Sequence, residues 1–405
     1  MASPKSTLYT VMLVSLLGTA GIALPYPVLS PFFLDSGAGN ALTQFMGLPP
    51  KVLLGIILAL YPLGSLLGSS FIGAISDIYG RKRVLVISLI LAAAGYGLTG
   101  YAVSIESYPL FALARLLTGI CEGNVAISRA IALELHPAIS RTRAISLLYA
   151  TAYAGWLVGP LAGGYLMVFG VANVFLITGV VTLLATLLVQ VAIVRADGVG
   201  HGGASVLEII ASNNSIGLLK LVDLRPLILY HFLFTLGLNA FYEFYPLWLV
   251  ERFHFDSVRI GWGTVVITLS MIISSIYLLS PIENRLGALG TVQVASGLLG
   301  CLFLILPLAG LVGLYPVFLV IGAVIAVANG VFPVYMANRF ESYGHGRVQG
   351  LLTTNFYAAN VIAALVGSVI ALLGTGWSLA AGGVLCILAS VWLYTGVRPH
   401  ATAIQ

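Results

Sequence analysis

Gly73-Ala-Ile-Ser-Asp77-Ile-Tyr-Gly80-Arg81-Lys82-Arg83 is a glycine-bounded turn that carries one carboxylate and three consecutive cations. Long apolar runs with almost no other charge flank it on both sides. Two membrane-length helices joined by so few residues must form a tight hairpin at a membrane surface. Three successive cations mark that surface as the cytoplasmic one.

Composition points the same way. The 405 residues are 60% hydrophobic and only 8% charged, against roughly 25% charged in soluble domains. The 18 Lys+Arg outnumber the 13 Asp+Glu. They sit mostly in short loops between apolar runs, where they set orientation, so nucleic acid is not an expected partner. Cys121, Cys301 and Cys386 lie inside apolar runs without metal-ligand spacing, which predicts neither a disulfide framework nor a metal site. The chain has no phosphate-binding G-x-x-x-x-G-K-[ST] loop and no nucleophile–base arrangement, so no catalytic residue, no cofactor and no enzymatic activity is expected.

A bilayer span requires about 20 apolar residues. By that measure there are twelve: 7–34, 50–74, 84–103, 108–135, 144–169, 171–194, 224–250, 258–280, 289–311, 314–336, 348–373 and 377–397. They are continuous runs, unlike the short alternating segments of an outer-membrane barrel. The first is too long for the 7–15-residue apolar core of a signal peptide and is expected to be retained. If the N-terminus is cytoplasmic, 13 loop cations fall on the inner side and only Lys51, Arg252 and Arg259 on the outer. Both termini are therefore expected inside.

The longest polar connection, 195–223, contains the flexible Gly198-Val-Gly-His-Gly-Gly203 and a mixed stretch, 206–221, suited to an amphipathic helix on the inner membrane face. It divides the chain into a six-helix bundle at 1–194 and another at 224–405. The halves echo one another. Tyr108-Pro109-x-Phe111 recurs as Tyr315-Pro316-x-Phe318 at an offset of 207 (315 − 108), which maps Glu122 onto Asn329. Duplicated halves are how many transporters build a midplane site with alternating access.

The turn pattern G-x-x-S-D-x-x-G-R-K-R resembles the loop between the second and third helices of the major facilitator superfamily, with Ile75 and Ile78 where that family usually has Leu and Arg. In the fifth span, Gly155-Trp-Leu-Val-Gly159-Pro160-Leu-Ala-Gly163-Gly164 is similar to the family's antiporter signature at each fixed position. Arg115 with Gly119 resembles its fourth-helix arginine motif. The resemblance implies an all-α major facilitator fold of twelve transmembrane helices in two pseudo-symmetric bundles. It also implies export driven by inward proton flow, a role for Arg115 in proton transfer or substrate contact, and a gate formed by Asp77, Gly80 and Arg81 with help from Arg141. On the residues alone, the glycines of the fifth span let a neighbouring helix approach closely.

Candidate site residues follow from the cost of a charge at mid-bilayer, about 2.5–3.5 kcal/mol even on a lenient scale. Arg115, Glu122 and Arg129 recur every seven residues, which places them on one face of an uninterrupted helix. Glu122 lies near mid-depth, where burial and a neighbouring Arg make a titratable switch; a permanent ion pair is the packing alternative. The seventh span carries a slanting stripe of His231, Thr235, Asn239 and Glu243, with Tyr242 and Tyr245 beside the carboxylate. Asn329, Asn355 and Asn360 are candidates for the opposing wall. In the first span Pro25-Tyr26-Pro27 breaks the helix, and no acid is present there, although several family exporters have one. The coupling role therefore shifts to Glu122 and Glu243.

The expected protein is a monomeric, proton-coupled antiporter of the inner or plasma membrane whose partners are protons, the lipid bilayer and a small amphipathic or cationic substrate. An uptake symporter or a facilitator of a metabolite, siderophore or lipid is the alternative on the same fold. A non-transporting receptor or assembly factor is the alternative of another class.

Overall fold

In lipid every backbone N–H and C=O must find a partner within the protein, and helices do this locally. The computed structural model describes residues 3–35, 40–122, 124–193, 215–343 and 345–397. Twelve helical spans in it are long and apolar enough to cross a membrane, and no strand occurs among the described residues. Among the described residues, eight helices fill the first part of the chain: α1 (Pro4–Ala23), α2 (Pro25–Asp35), α3 (Pro50–Tyr79), α4 (Arg81–Ser104), α5 (Tyr108–Cys121), α6 (Asn124–Glu134), α7 (Arg141–Leu166) and α8 (Val171–Ala192). Six follow: α9 (Arg225–Phe253), α10 (Ser257–Tyr277), α11 (Leu279–Ile305), α12 (Leu311–Arg339), α13 (His345–Ile370) and α14 (Thr375–Trp392).

The helix starts are written in short polar signals. Ser3 and Ser140 cap α1 and α7 by accepting from the backbone N–H of Ser6 and Arg143. Proline stands in the first turn of α1, α3, α5 and α9, where its missing N–H costs nothing. As Pro25-Tyr26-Pro27 predicts, the first span is broken, α1 ending at Ala23 and α2 beginning at Pro25.

The chain forms two compact units, 1–212 with 256–261 and 213–255 with 262–405. In the first, α1 packs on α7, α3 on α5 and α4 on α8. In the second, α9 packs on α14 and α13, and α11 on α14 and α12. The third-with-sixth pairing of spans thus returns as ninth with twelfth, and first-with-fifth as seventh with eleventh. Of the predicted amphipathic helix at 206–221, residues 206–214 lie outside the described residues, as does the glycine-rich stretch before it, and Ser215–Lys220 form a short 3-10 turn.

The signature turn is built on Gly80, whose φ of 93° a side chain would strain. It separates α3 from α4 with no intervening loop. The second unit repeats the device at Gly287 (φ 70°) inside α11, at the same offset of 207 (287 − 80). There Asn284 stands where the first unit has Asp77, and the cationic triplet is gone.

Glycine also sets how closely α3 and α5 approach. A Cβ at Gly68 would overlap the carbonyl oxygen of Ile120, and one at Gly119 the carbonyl oxygen of Tyr61. Backbone cannot yield as a flexible side-chain tip can. Gly68→Val should therefore cost about 1–3 kcal/mol of stability, the usual scale of overpacking, and be read as a fall in the unfolding temperature in detergent. An unchanged temperature would show that the two helices are not held this close.

Candidate functional site

The fourth span departs from its sequence reading. It is two helices, α5 ending at Cys121 and α6 starting at Asn124, with Glu122 at the break (φ −86°, ψ 34°). The N–H of Glu122 closes a tight turn onto the carbonyl of Gly119 (3.2 Å). Non-helical backbone at this depth is tolerated only where protein or a cavity surrounds it. The residue after Glu122 lies outside the described residues, but a glycine at 123 in mid-span is itself a sequence signal for a break. Arg115, Glu122 and Arg129 therefore do not form one continuous stripe. The seven-residue rule presumes an unbroken helix.

Their environments differ accordingly. Arg115 is 2% exposed. Its guanidinium lies 4.5 Å from the ring centre of Tyr61 in α3 and 5.7 Å from that of Phe175 in α8. Aromatic faces attract a cation, by about 2 kcal/mol or more when water is excluded. This arginine is thus held by rings instead of by an aqueous face. Its Nε and Nη1, with Tyr61 Oη, Asn124 Oδ1 and Ser128 Oγ, are buried and without a hydrogen-bond partner among the described residues. Tyr26 and Tyr96 are within electrostatic reach of Arg115, and Tyr26 stacks on Trp156 of α7 (6.2 Å).

Glu122 is half-buried and accepts a hydrogen bond from Tyr96 Oη in α4 (2.7 Å). Gly21 of α1 makes room for this pair. A Cβ there would collide with the Tyr96 hydroxyl and lie 3.5 Å from Glu122 Oε1. Sequence reasoning missed Tyr61 and Tyr96, because tyrosines in apolar spans look like ordinary packing. Arg129 is half-buried on α6.

The fifth-span glycines meet α1. Cβ atoms at Gly155, Gly159 and Gly163 would lie 2.8, 2.5 and 2.8 Å from the carbonyl oxygens of Leu16, Ala20 and Leu24. Pro160 sits inside α7, which continues through it. Gly164 is also buried.

In the second unit, Thr235, Asn239 and Glu243 are buried, Glu243 fully, and His231 is half-buried. Two of the predicted wall residues close onto this stripe from α13. Asn360 donates to Asn239 Oδ1 (3.1 Å), and Asn355 Nδ2 meets His231 Nδ1 at 2.6 Å. His231 is also stacked on Phe332 (5.3 Å). Tyr242 and Tyr245 turn toward α10, the first to Met271 Sδ (3.9 Å) and the second to Thr264. Asn329 is half-buried in α12.

At the signature turn Arg81 pairs with Glu134 at the end of α6, a carboxylate that sequence reading did not single out. Both groups are exposed enough that the pair contributes about 0–1 kcal/mol. The side chains of Asp77 and Arg141 lie outside the described residues. No group of His, Cys, Asp and Glu suited to a metal occurs among the described residues.

The family model described as Major Facilitator Superfamily matches residues 11–360. The chain belongs to the Major Facilitator Superfamily. Its fold and family are those of transporters, and it is a multi-pass membrane protein of that superfamily. It is 23% identical over 364 residues to tetracycline resistance protein, class B, of Escherichia coli, covering 89% of this chain and 87% of that protein. The class E protein of Escherichia coli is 25% identical over 367 residues, covering 89% and 86%. Among solved structures, the human organic anion transporter MFSD10 (TETRAN) superposes with a TM-score of 0.72 at 20% identity, covering 97% of this chain and 100% of that one. A D-xylose-proton symporter gives 0.73 at 19%, covering 96% and 98%. At such identities the structural neighbours speak for the fold alone.

Proposed function

We propose that this transporter is a proton-coupled antiporter that exports small amphipathic or cationic compounds by alternating access, as a monomer with both termini cytoplasmic. The observation that carries this reading is the Tyr96–Glu122 pair at the break in the fourth span, beside the ring-held Arg115. A carboxylate there can take a proton, so that proton and cargo compete. Glu243 is the second coupling carboxylate, and Asn239, Tyr242, Asn329 and Asn355 are cargo contacts. Asp77, Gly80, Arg81 and Arg141 gate the inner side. The functional halves are 1–194 and 224–405, joined by the linker at 195–223. Relatives named for tetracycline resistance, matched over most of both chains, support export over uptake, as does the antiporter pattern at Gly155, Gly159, Pro160, Gly163 and Gly164.

The energetics suffice. One pH unit supplies about 1.4 kcal/mol per proton and 100 mV about 2.3 kcal/mol per charge moved. For an uncharged cargo exchanged for one proton, the two together sustain a cargo gradient of roughly 500-fold. The test is transport in oriented proteoliposomes with tetracycline and a lipophilic cation as cargoes. Acid on the outer face should drive both from the inner to the outer side. Cargo moving inward together with the proton would make the protein a symporter.

Room for the Tyr96–Glu122 pair depends on Gly21. Gly21→Ala should push the tyrosine tip off the carboxylate at little cost in stability, since a side-chain end can move. A hydrogen bond to a charged group contributes about 1.5–3 kcal/mol, so coupled transport should fall on the order of tenfold or more. Wild-type transport in this variant would remove Tyr96 from the coupling machinery.

A further inference from the structure

Away from this site, α1 and α8 flank an open surface groove of about 550 Å³ lined by Ser3, Lys5, Ser6, Tyr9, Thr10 and Leu13 of the first span and Leu188 and Ala192 of the sixth. Ser3, Ser6, Thr10 and Leu13 follow one another at spacings of three and four, so they lie along one face of α1. Ten residues at 1.5 Å each carry that face about 15 Å along the helix, half the depth of a roughly 30 Å hydrocarbon core. The groove is polar and cationic at its mouth and apolar at its floor.

We propose that the groove binds one anionic phospholipid, its phosphate at Lys5 and one acyl chain along Leu13 and Leu188. The occupant follows from charge and geometry. Lys5 is exposed and no carboxylate pairs with it among the described residues. Tyr9, 65% exposed, stands at the level where aromatic side chains meet the headgroups. Of the hydroxyls, Ser3 Oγ accepts from Ser6 N–H and Thr10 Oγ donates to Ser6 O, so these two are engaged within the first span. The Lys5 ammonium is the charged feature of the lining and selects an anionic headgroup. A free phosphate would gain nothing from the apolar floor, whereas a lipid uses both ends.

The test is lipid retention on purified full-length protein by native mass spectrometry, after exposure to mixed micelles of phosphatidylglycerol and phosphatidylcholine. One phosphatidylglycerol should be retained in preference to phosphatidylcholine. Lys5→Glu should lower that preference about tenfold, and Ala192→Phe, which fills the groove at the level of Thr7 but keeps the charge, by a similar factor. Lys51→Glu removes a cation at the opposite end of the unit and should leave retention unchanged. Millimolar glycerol 3-phosphate should not displace the lipid. Equal retention of both lipids, indifference to Lys5→Glu and Ala192→Phe, or displacement by glycerol 3-phosphate would each overturn the proposal. Should Lys5→Glu fail to fold, Lys5→Gln and Ala192→Phe decide the matter alone.

Discussion

Glu122→Gln should abolish pH-driven export while leaving cargo exchange across the membrane in place. Glutamine keeps the size of the side chain and an acceptor for Tyr96 Oη, which lies 2.7 Å from the carboxylate, but has no proton to trade. Transport against a gradient should fall at least a hundredfold, a loss of about 2.7 kcal/mol of coupling. Energy-independent counterflow of cargo should stay within a few-fold of wild type, because binding and reorientation do not need the proton. The measurement is paired, gradient-driven transport and counterflow in the same proteoliposomes. Loss of both would make Glu122 a structural or cargo-binding group instead.

Arg115→Lys is the second large effect. Both residues are cationic, yet the planar guanidinium stacks on rings and an ammonium on a flexible stem does not. Arg115 sits over Tyr61 and Phe175 with almost no exposure. Losing a desolvated cation–π contact of about 2 kcal/mol corresponds to roughly thirtyfold in an equilibrium or rate. Coupled transport should fall by at least that factor, with the charge of the unit unchanged. If Arg115→Lys transports normally while Arg115→Ala does not, charge alone matters and the rings are incidental.

The fold was legible because a bilayer leaves few choices. Length, apolarity and the need to satisfy every backbone group made the twelve spans readable from residue counts. The glycine turn before Arg81 and the break at Pro25 were local signals of the same kind. The site was legible only in part. Charges in apolar spans announce themselves, so Arg115, Glu122 and Glu243 stood out. Their partners did not. Tyr96 reaches Glu122 across 26 residues, and Asn360 reaches Asn239 across 121. No local pattern encodes contacts of that separation. The break at Glu122 was hidden for a related reason. A continuous apolar run looks like one helix, and only the glycine that follows hinted otherwise. Tyr61 and Phe175 were unreadable because an aromatic ring facing lipid and one facing a buried cation have the same sequence signature.

The central claim is that a half-buried carboxylate in the first unit, Glu122, gives up its proton when cargo binds. It is tested most directly by proton release from the purified, unbuffered protein on adding tetracycline or a lipophilic cation, in wild type, Glu122→Gln and Glu243→Gln. Release should be substantial in wild type, absent or nearly so in Glu122→Gln, and reduced at most in part in Glu243→Gln. Full release from Glu122→Gln would contradict the account.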